Sequence, residues 1–419
     1  MILTEKEKEK FKVLFYQMMI NDNDYLVLNK KYFSEEEKTV FNICSDKNMT
    51  IGDLKDTIKC NNSPRNPRKL KYEIINLDTG AYEPDEIKFD DNKSLLITSK
   101  SDTENIIYEI ISSVDDYIKK IKTLQNDECE IFFRGHTNAN YSLQPSVFRN
   151  NNWKRNESEL YHELLLNCPE DFYNCKKHIV ILVKMQHYQL PTRMLDITSN
   201  ALMGLYFASE YDDTISGGND DLMGEVIIIK AKKEVIKYDN SDTATIFASL
   251  PSLDYASKCE LFVLANDFHK YKQDKTLKNF NDKAPVKKLL NEIKTEKPGF
   301  RERIIASDLL KNVVIKPSKD NRRIRAQSGA FFLCGLNGSF FEEEIRNAKH
   351  SLNINSTVAT KDFSRDLDVY RYSEGSAKLV LLVKNKKEIR NELIRLGIDK
   401  KTVYPEIDNV AKYIKDLYK

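Results

Sequence analysis

A chain of 419 residues is longer than one comfortable core, so two domains are expected, and 41% apolar residues suffice to fill both. Its 66 basic and 64 acidic side chains nearly cancel, which excludes nucleic-acid binding by overall charge and leaves only local clusters for that purpose. Seven cysteines without a CxxC pair exclude a metal or redox motif and read as reduced, mostly buried thiols; the charged start MILTEKEKEK and the lack of a long apolar run imply a cytoplasmic protein that does not span a membrane.

Phe11, Leu14, Phe15 and Met18 keep helical spacing and predict a helix over residues 5–19. Ser34 with Glu37, and Thr50 with Asp53, are capping signals for two more short helices. Pro67 opens the third of these shorter helices, which carries Leu70 and Ile74 on one side. The turn Asp78-Thr79-Gly80 and the strand-like Leu95, Leu96 and Ile97 complete a hairpin, so residues 1–98 read as a winged-helix-like domain. Lys59, Arg65, Arg68, Lys69 and Lys71 stand between Thr57 and Tyr72 without an acidic residue. Two readings are open for them: a phosphate-facing recognition helix, or the wet face of a domain that binds a protein partner.

Ser99 to Thr103 reads as a linker, and residues 104–419 as a second domain with a central mixed sheet flanked by helices, an α+β chain as a whole. A helix is expected from there to about Leu124, with Ile106, Ile107, Ile110, Ile111, Val114, Ile118 and Ile121 along one side. Glu130 to Phe133 predicts a strand that ends at Arg134-Gly135-His136, and Gly135 admits a ligand or a backbone close by. In the helix 157–166, His162-Glu163 lacks the second histidine of a zinc protease motif. Met194 to Thr198 and Glu225 to Ile229 are further strands. The lysine-rich segment 232–319 reads as an insertion with helical pieces near 254–268, 284–293 and 301–310. Ala330 to Leu333 suits a buried strand beside the Arg134 strand, and amphipathic helices around Tyr404-Pro405 cap the sheet.

Chemistry concentrates in KMQHYQLPTRMLDITSNALMGLYFASE, from Lys184 to Glu210. Arg134 and Arg193, aimed into one cleft, would suit a diphosphate; the alternative is that Arg193 merely pairs with Asp196. His187 suits a general base oriented by Asp196, or is a satisfied core histidine. Asp196 also suits a ribose hydroxyl, and Thr198 either touches ligand or caps the next helix, a role for which Ser199 and Asn200 compete.

Five segments, in order FFRGH (132–136), YSLQPSVFR (141–149), QHYQLPTRMLDIT (186–198), RIRAQSGAFFL (323–333) and LIRLGIDKKTVYPEIDNVAKYIK (393–415), resemble the FRG domain family. The resemblance runs from about Ile121 to the C-terminus and implies a bacterial toxin-like or anti-phage effector. More distantly, the strand-borne Arg134-Gly135 and the LDIT strand with its following helix are similar to ADP-ribosyltransferases, which implies NAD as cofactor or substrate. Such enzymes carry a glutamate on a later strand; here Gln327 fits the position two before it, but Gly329 stands in its place, so Glu225 or Glu159 would have to supply the charge. The expected catalytic set is therefore Arg134, His187, Asp196, Thr198 and Gln327, and the cofactor-binding set Arg134, Gly135, Tyr141 and Arg193, with no metal-ligand pattern. A nucleotide or nucleic acid is the expected partner. The rival functions are a non-enzymatic nucleic-acid-binding regulator and a metal-dependent nuclease.

Overall fold

In a computed structural model, the described residues are 25–28, 43, 49–51, 53, 54, 71–76, 95–100, 106–124, 128–212, 218–220, 222–271, 277–336, 367, 370–375 and 377–417. Before residue 101, strands β1 (Tyr25–Leu28), β2 (Lys71–Asn76) and β3 (Leu95–Lys100) form an antiparallel sheet in the order β1-β3-β2. The segment carrying Ile74 is thus a strand, not the third helix of a winged-helix domain. Its run of tyrosine and isoleucines favours the pleat, and all six residues pair with β3, whose end takes up Ser99 and Lys100 of the expected linker. The Thr50 cap does form: the Asp53 carboxylate accepts from the Thr50 N–H at 2.9 Å, and the Thr50 hydroxyl accepts from the Asp53 N–H at 3.1 Å. The helix expected at 5–19, the Ser34 cap and residues 59–70 of the basic run lie outside the described residues.

The expected helix of 104–124 is divided. Ile106–Ile111 is strand β4, parallel to β12 (Ala377–Val383) over six pairs, because its β-branched isoleucines suit the pleat of a half-buried strand at the sheet's edge. A helix begins only at Val114, where the Ser113 hydroxyl accepts from the Asp116 N–H at 3.1 Å.

Strand β5 (Cys129–His136) does not stop at Phe133 but carries Arg134, Gly135 and His136 within it, paired along its whole length with β7 (Gly224–Lys232). On its other edge β5 meets β6 (Met194–Thr198) at Phe133 and Thr198. Strand β6 pairs in turn with β10 (Gly329–Cys334), β10 with β9 (Asn312–Lys316), and β9 with β8 (Ile236–Tyr238). The short β11 (Ser373–Glu374) folds back on β12, which joins β7. The sheet is mixed, with helices on both faces. It consists of two laddered halves, β4-β12-β7-β5 and β6-β10-β9-β8, meeting at one residue pair.

Side-chain alternation sorts the core. Phe132, Leu195, Ile227, Ile229 and Phe332 share one continuous core with Leu261, Phe262, Leu289 and Ile293 of the helices Tyr255–Tyr271 and Ala284–Glu296. On the opposite face the core is split. Phe133, Val226, Ile228 and Leu381 pack with Tyr117, Leu205 and Leu393 in one cluster, whereas Met194, Phe331 and Leu333 pack with Tyr161, Ile179 and Leu182 in another.

Segment 232–319 supplies β8, β9 and the two helices over the continuous face. Of the helix expected at 301–310 only a short turn, Asp308–Leu310, is helical. Strand β10 lies beside β6, one strand away from the Arg134 strand. The C-terminal helices Lys386–Arg395, Lys400–Val403 and Ile407–Leu417 follow as expected. Five described cysteines are free thiols, Cys334 buried and Cys129, Cys168, Cys175 and Cys259 half-buried. No helix among the described residues is long and apolar enough to cross a membrane.

Candidate functional site

Past the single Phe133–Thr198 rung, β5 and β6 diverge, and a cavity of about 320 Å³ opens between them and the split core. Arg134, Gly135, Tyr141, His187, Asp196, Thr198 and Gln327 line it, so seven of the eight expected site residues come together.

Arg134 spans the gap. Its Nη1 donates to the Asp196 carbonyl at 2.6 Å, and its Nε donates to His136 Nε2 at 3.0 Å. Burial lowers the guanidinium pKa to about 10, against the pull of Asp196, so it stays charged at neutral pH. Because Nε of arginine only donates, His136 must accept at Nε2 and carry its proton on Nδ1. Burial, together with Arg134, Arg371 and Arg149, pushes the His136 pKa well below its usual value and keeps the ring neutral.

Gly135 has a packing role. A side chain there would overlap the Ala208 nitrogen and the Gly204 carbonyl of the Ala201–Ser209 helix. The glycine therefore brings a helix backbone, not a ligand, onto β5.

Arg193 is the residue that the cavity does not include. It is 2% exposed and held by Glu157: Nε donates to Oε1 at 2.8 Å, Nη2 pairs with Oε2, and Nη1 donates to the Cys334 carbonyl at 3.1 Å. Lys258 Nζ reaches the same carboxylate at 2.7 Å. Burial alone would raise the Glu157 pKa, but Arg193 and Lys258 outweigh it and hold it at about 2. Asp196 is not the partner of Arg193.

Nor does Asp196 orient the histidine. His187 Nε2 lies 3.3 Å from Glu406 Oε1, on the segment after Pro405. Burial lowers the His187 pKa, more than Glu406 raises it, and Arg323 and Lys184 add to the fall. Thr198 is 2% exposed; its hydroxyl donates to the Gln327 carbonyl at 2.6 Å and accepts from the Asn200 N–H at 2.9 Å, which fastens β6 to the turn before β10. Asn200 is the cap of the next helix, accepting from the Leu202 N–H at 3.0 Å. The Gln327 amide donates to the Val403 carbonyl at 3.1 Å. Glu225 is buried against Arg371 at 2.6 Å, and Glu159 is exposed on its helix; neither reaches the cavity.

The fold adds residues outside the expected site set: His136, Arg149, Glu210, Arg323 and Tyr404. Arg149 donates from Nε and Nη2 to the Gln144 carbonyl at 3.0 and 2.8 Å. Arg323 stacks its guanidinium 4.8 Å from the centre of the Tyr404 ring. Tyr404 donates to Glu210 Oε2 at 2.9 Å. Burial raises the Glu210 pKa, partly offset by that hydrogen bond and by Lys400 and Arg323. Among the described residues none of Arg134, Arg149 and Arg323 forms an ion pair with a carboxylate. All three keep guanidinium nitrogens for an anion, and each motif of the sequence contributes a cavity residue. Among the described residues no three His, Cys, Asp or Glu side chains converge as a metal cluster would.

Comparison with known proteins bears on the same segment. No curated protein and no solved structure matches the chain. The family model described as FRG domain matches residues 129–216, which include β5, the Tyr141 motif and the whole Lys184–Glu210 stretch, so the chain carries an FRG domain.

Proposed function

We propose that the cleft between β5 and β6 binds a phosphate-bearing nucleotide, NAD foremost, and that the protein acts on it as a toxin-like or anti-phage effector in the cytoplasm. The observation that carries this reading is the convergence of Arg134, Arg149 and Arg323 on one cavity without a carboxylate partner. Planar guanidiniums bind phosphate oxygens in pairs, and a half-buried site strengthens each such bond. Tyr141, 43% exposed at the rim, offers a face on which a base can stack.

The carboxylates on the cavity are Asp196 and Glu210. Gly329 is paired with Thr198 in the ladder and has no side chain to contribute. A positively charged transition state at a ribose carbon would therefore rely on these two acids, and Arg134 would hold the phosphates. The family resemblance motivates the effector role.

Calorimetric titration of the full chain with NAD, ADP-ribose and ADP tests the binding, and release of nicotinamide tests turnover. Saturable binding that Arg134→Lys weakens supports the reading. Lack of binding to all three ligands refutes it.

A further inference from the structure

The cavity is not cationic throughout. On the same wall as Arg323 stands Glu210, at the end of the helix Ala201–Ser209, with Oε2 taken by the Tyr404 hydroxyl at 2.9 Å. Among the described residues Oε1 makes no hydrogen bond. The carboxyl is thus held by one oxygen and offers the other to the cavity. Tyr404 is itself fixed, with Arg323 stacked on its ring at 4.8 Å.

We propose that Glu210 is a specificity residue that hydrogen-bonds the ribose hydroxyls of the bound nucleotide, with Tyr404 as its positioning residue, so that the site takes ribonucleotides and rejects their deoxy counterparts. This rests on the nucleotide reading above. A carboxylate beside phosphate-binding groups would repel a bare polyanion, yet a vicinal diol gives it two donors. Asp196 also lines the cavity, but its side chain is exposed, and a ribose bond there would only replace bonds to water. Glu210 is half-buried, and its carboxyl, pushed upward in pKa by burial, matches a hydroxyl whether ionised or protonated. A site built to bond a hydroxyl discriminates strongly against the analogue without it, because its own polar group is then left without a partner.

The test is titration of the full chain with pyrophosphate, ADP, 2′-deoxy-ADP and 2′,3′-dideoxy-ADP. Removal of the hydroxyls should weaken ADP at least ~10-fold, the range for a hydrogen bond to a charged group. Glu210→Gln keeps an acceptor for Tyr404, and it should close most of that gap while pyrophosphate, relieved of the repulsion, binds at least as tightly as before. Tyr404→Phe, which frees the carboxyl to turn, should narrow the gap without touching pyrophosphate affinity. It also serves as the second arm if Glu210→Gln fails to fold. The inference is overturned if the parent binds ADP and dideoxy-ADP alike, or if Glu210→Gln preserves the discrimination. If neither pyrophosphate nor ADP binds, the nucleotide reading falls and this inference with it.

Discussion

Arg193→Ala separates a structural arginine from a ligand-binding one. The substitution removes two bonds to Glu157, one to the Cys334 carbonyl and the stacking on Phe148 at 5.8 Å. Breaking a buried ion pair from one side costs about 3 to 5 kcal/mol, and the lower end applies because Lys258 still reaches Glu157. With an unfolding entropy of about 2.1 cal/mol/K per residue, a cooperative unit of ~300 residues loses about 5 °C of Tm for 3 kcal/mol. Glu157→Ala should cost more, since it leaves Arg193 and Lys258 buried together without their counter-charge. The triad also gives stability a pH dependence. Glu157 is held at about 2 instead of 4.5, so its contribution of about 3 kcal/mol is complete above pH 4.5 and is lost as the pH falls toward 2. Thermal melts of the parent and both variants at pH 7 and at about pH 2.5, inside that window, measure this. An Arg193→Ala protein that melts like the parent but loses nucleotide affinity would refute the reasoning, as would a Glu157→Ala protein more stable than Arg193→Ala.

Arg134→Lys keeps the charge but loses the fork, so nucleotide affinity should fall at least ~10-fold in titrations while Tm stays within ~2 °C, because no carboxylate is left behind. Gly135→Ala should destabilise the fold strongly in thermal melts, since the new methyl meets helix backbone that has no room to move. Burial keeps His136 and His187 below their usual pKa, so the unfolded chain takes up protons first; stability is full above about pH 6.5 and declines as the pH falls below it. Melts of His136→Gln against the parent between pH 7 and pH 5 should show a smaller decline. Glu406→Gln should perturb His187 titration, followed by NMR, far more than Asp196→Asn does.

The motifs were legible before the fold, and the partners of their side chains were not. Arg149, Glu210, Arg323 and Tyr404 all lie within the segments that drew attention, but a linear motif does not tell which of its side chains faces a cleft. Periodicity marked Met194–Thr198 and Glu225–Ile229, the latter inside the longer Gly224–Lys232, as strands, yet misread Ile106–Ile111 and Lys71–Asn76, where isoleucines fit helix spacing as well as a strand. Arg193 read as either a ligand residue or the partner of Asp196, because its observed partner, Glu157, is 36 positions away. Asp196, near in sequence, is exposed on the cavity instead. The histidine's partner, Glu406, is farther still.

The lone rung between β5 and β6 leaves the two halves of the sheet joined on one face by a shared core and on the other chiefly by Arg134. On one arm, Gly135 seats β5 hard against the Ala201–Ser209 helix, so that arm is stiff. On the other, β6 is laddered along its whole length to β10. Arg134, reaching from the first arm to the Asp196 carbonyl of the second, is the stay that sets the angle. An anion that draws the guanidinium away from that carbonyl therefore acts on the whole angle between the arms and not on one side chain. The residue that gives the domain its middle letter would measure occupancy of the cleft as a change in its width.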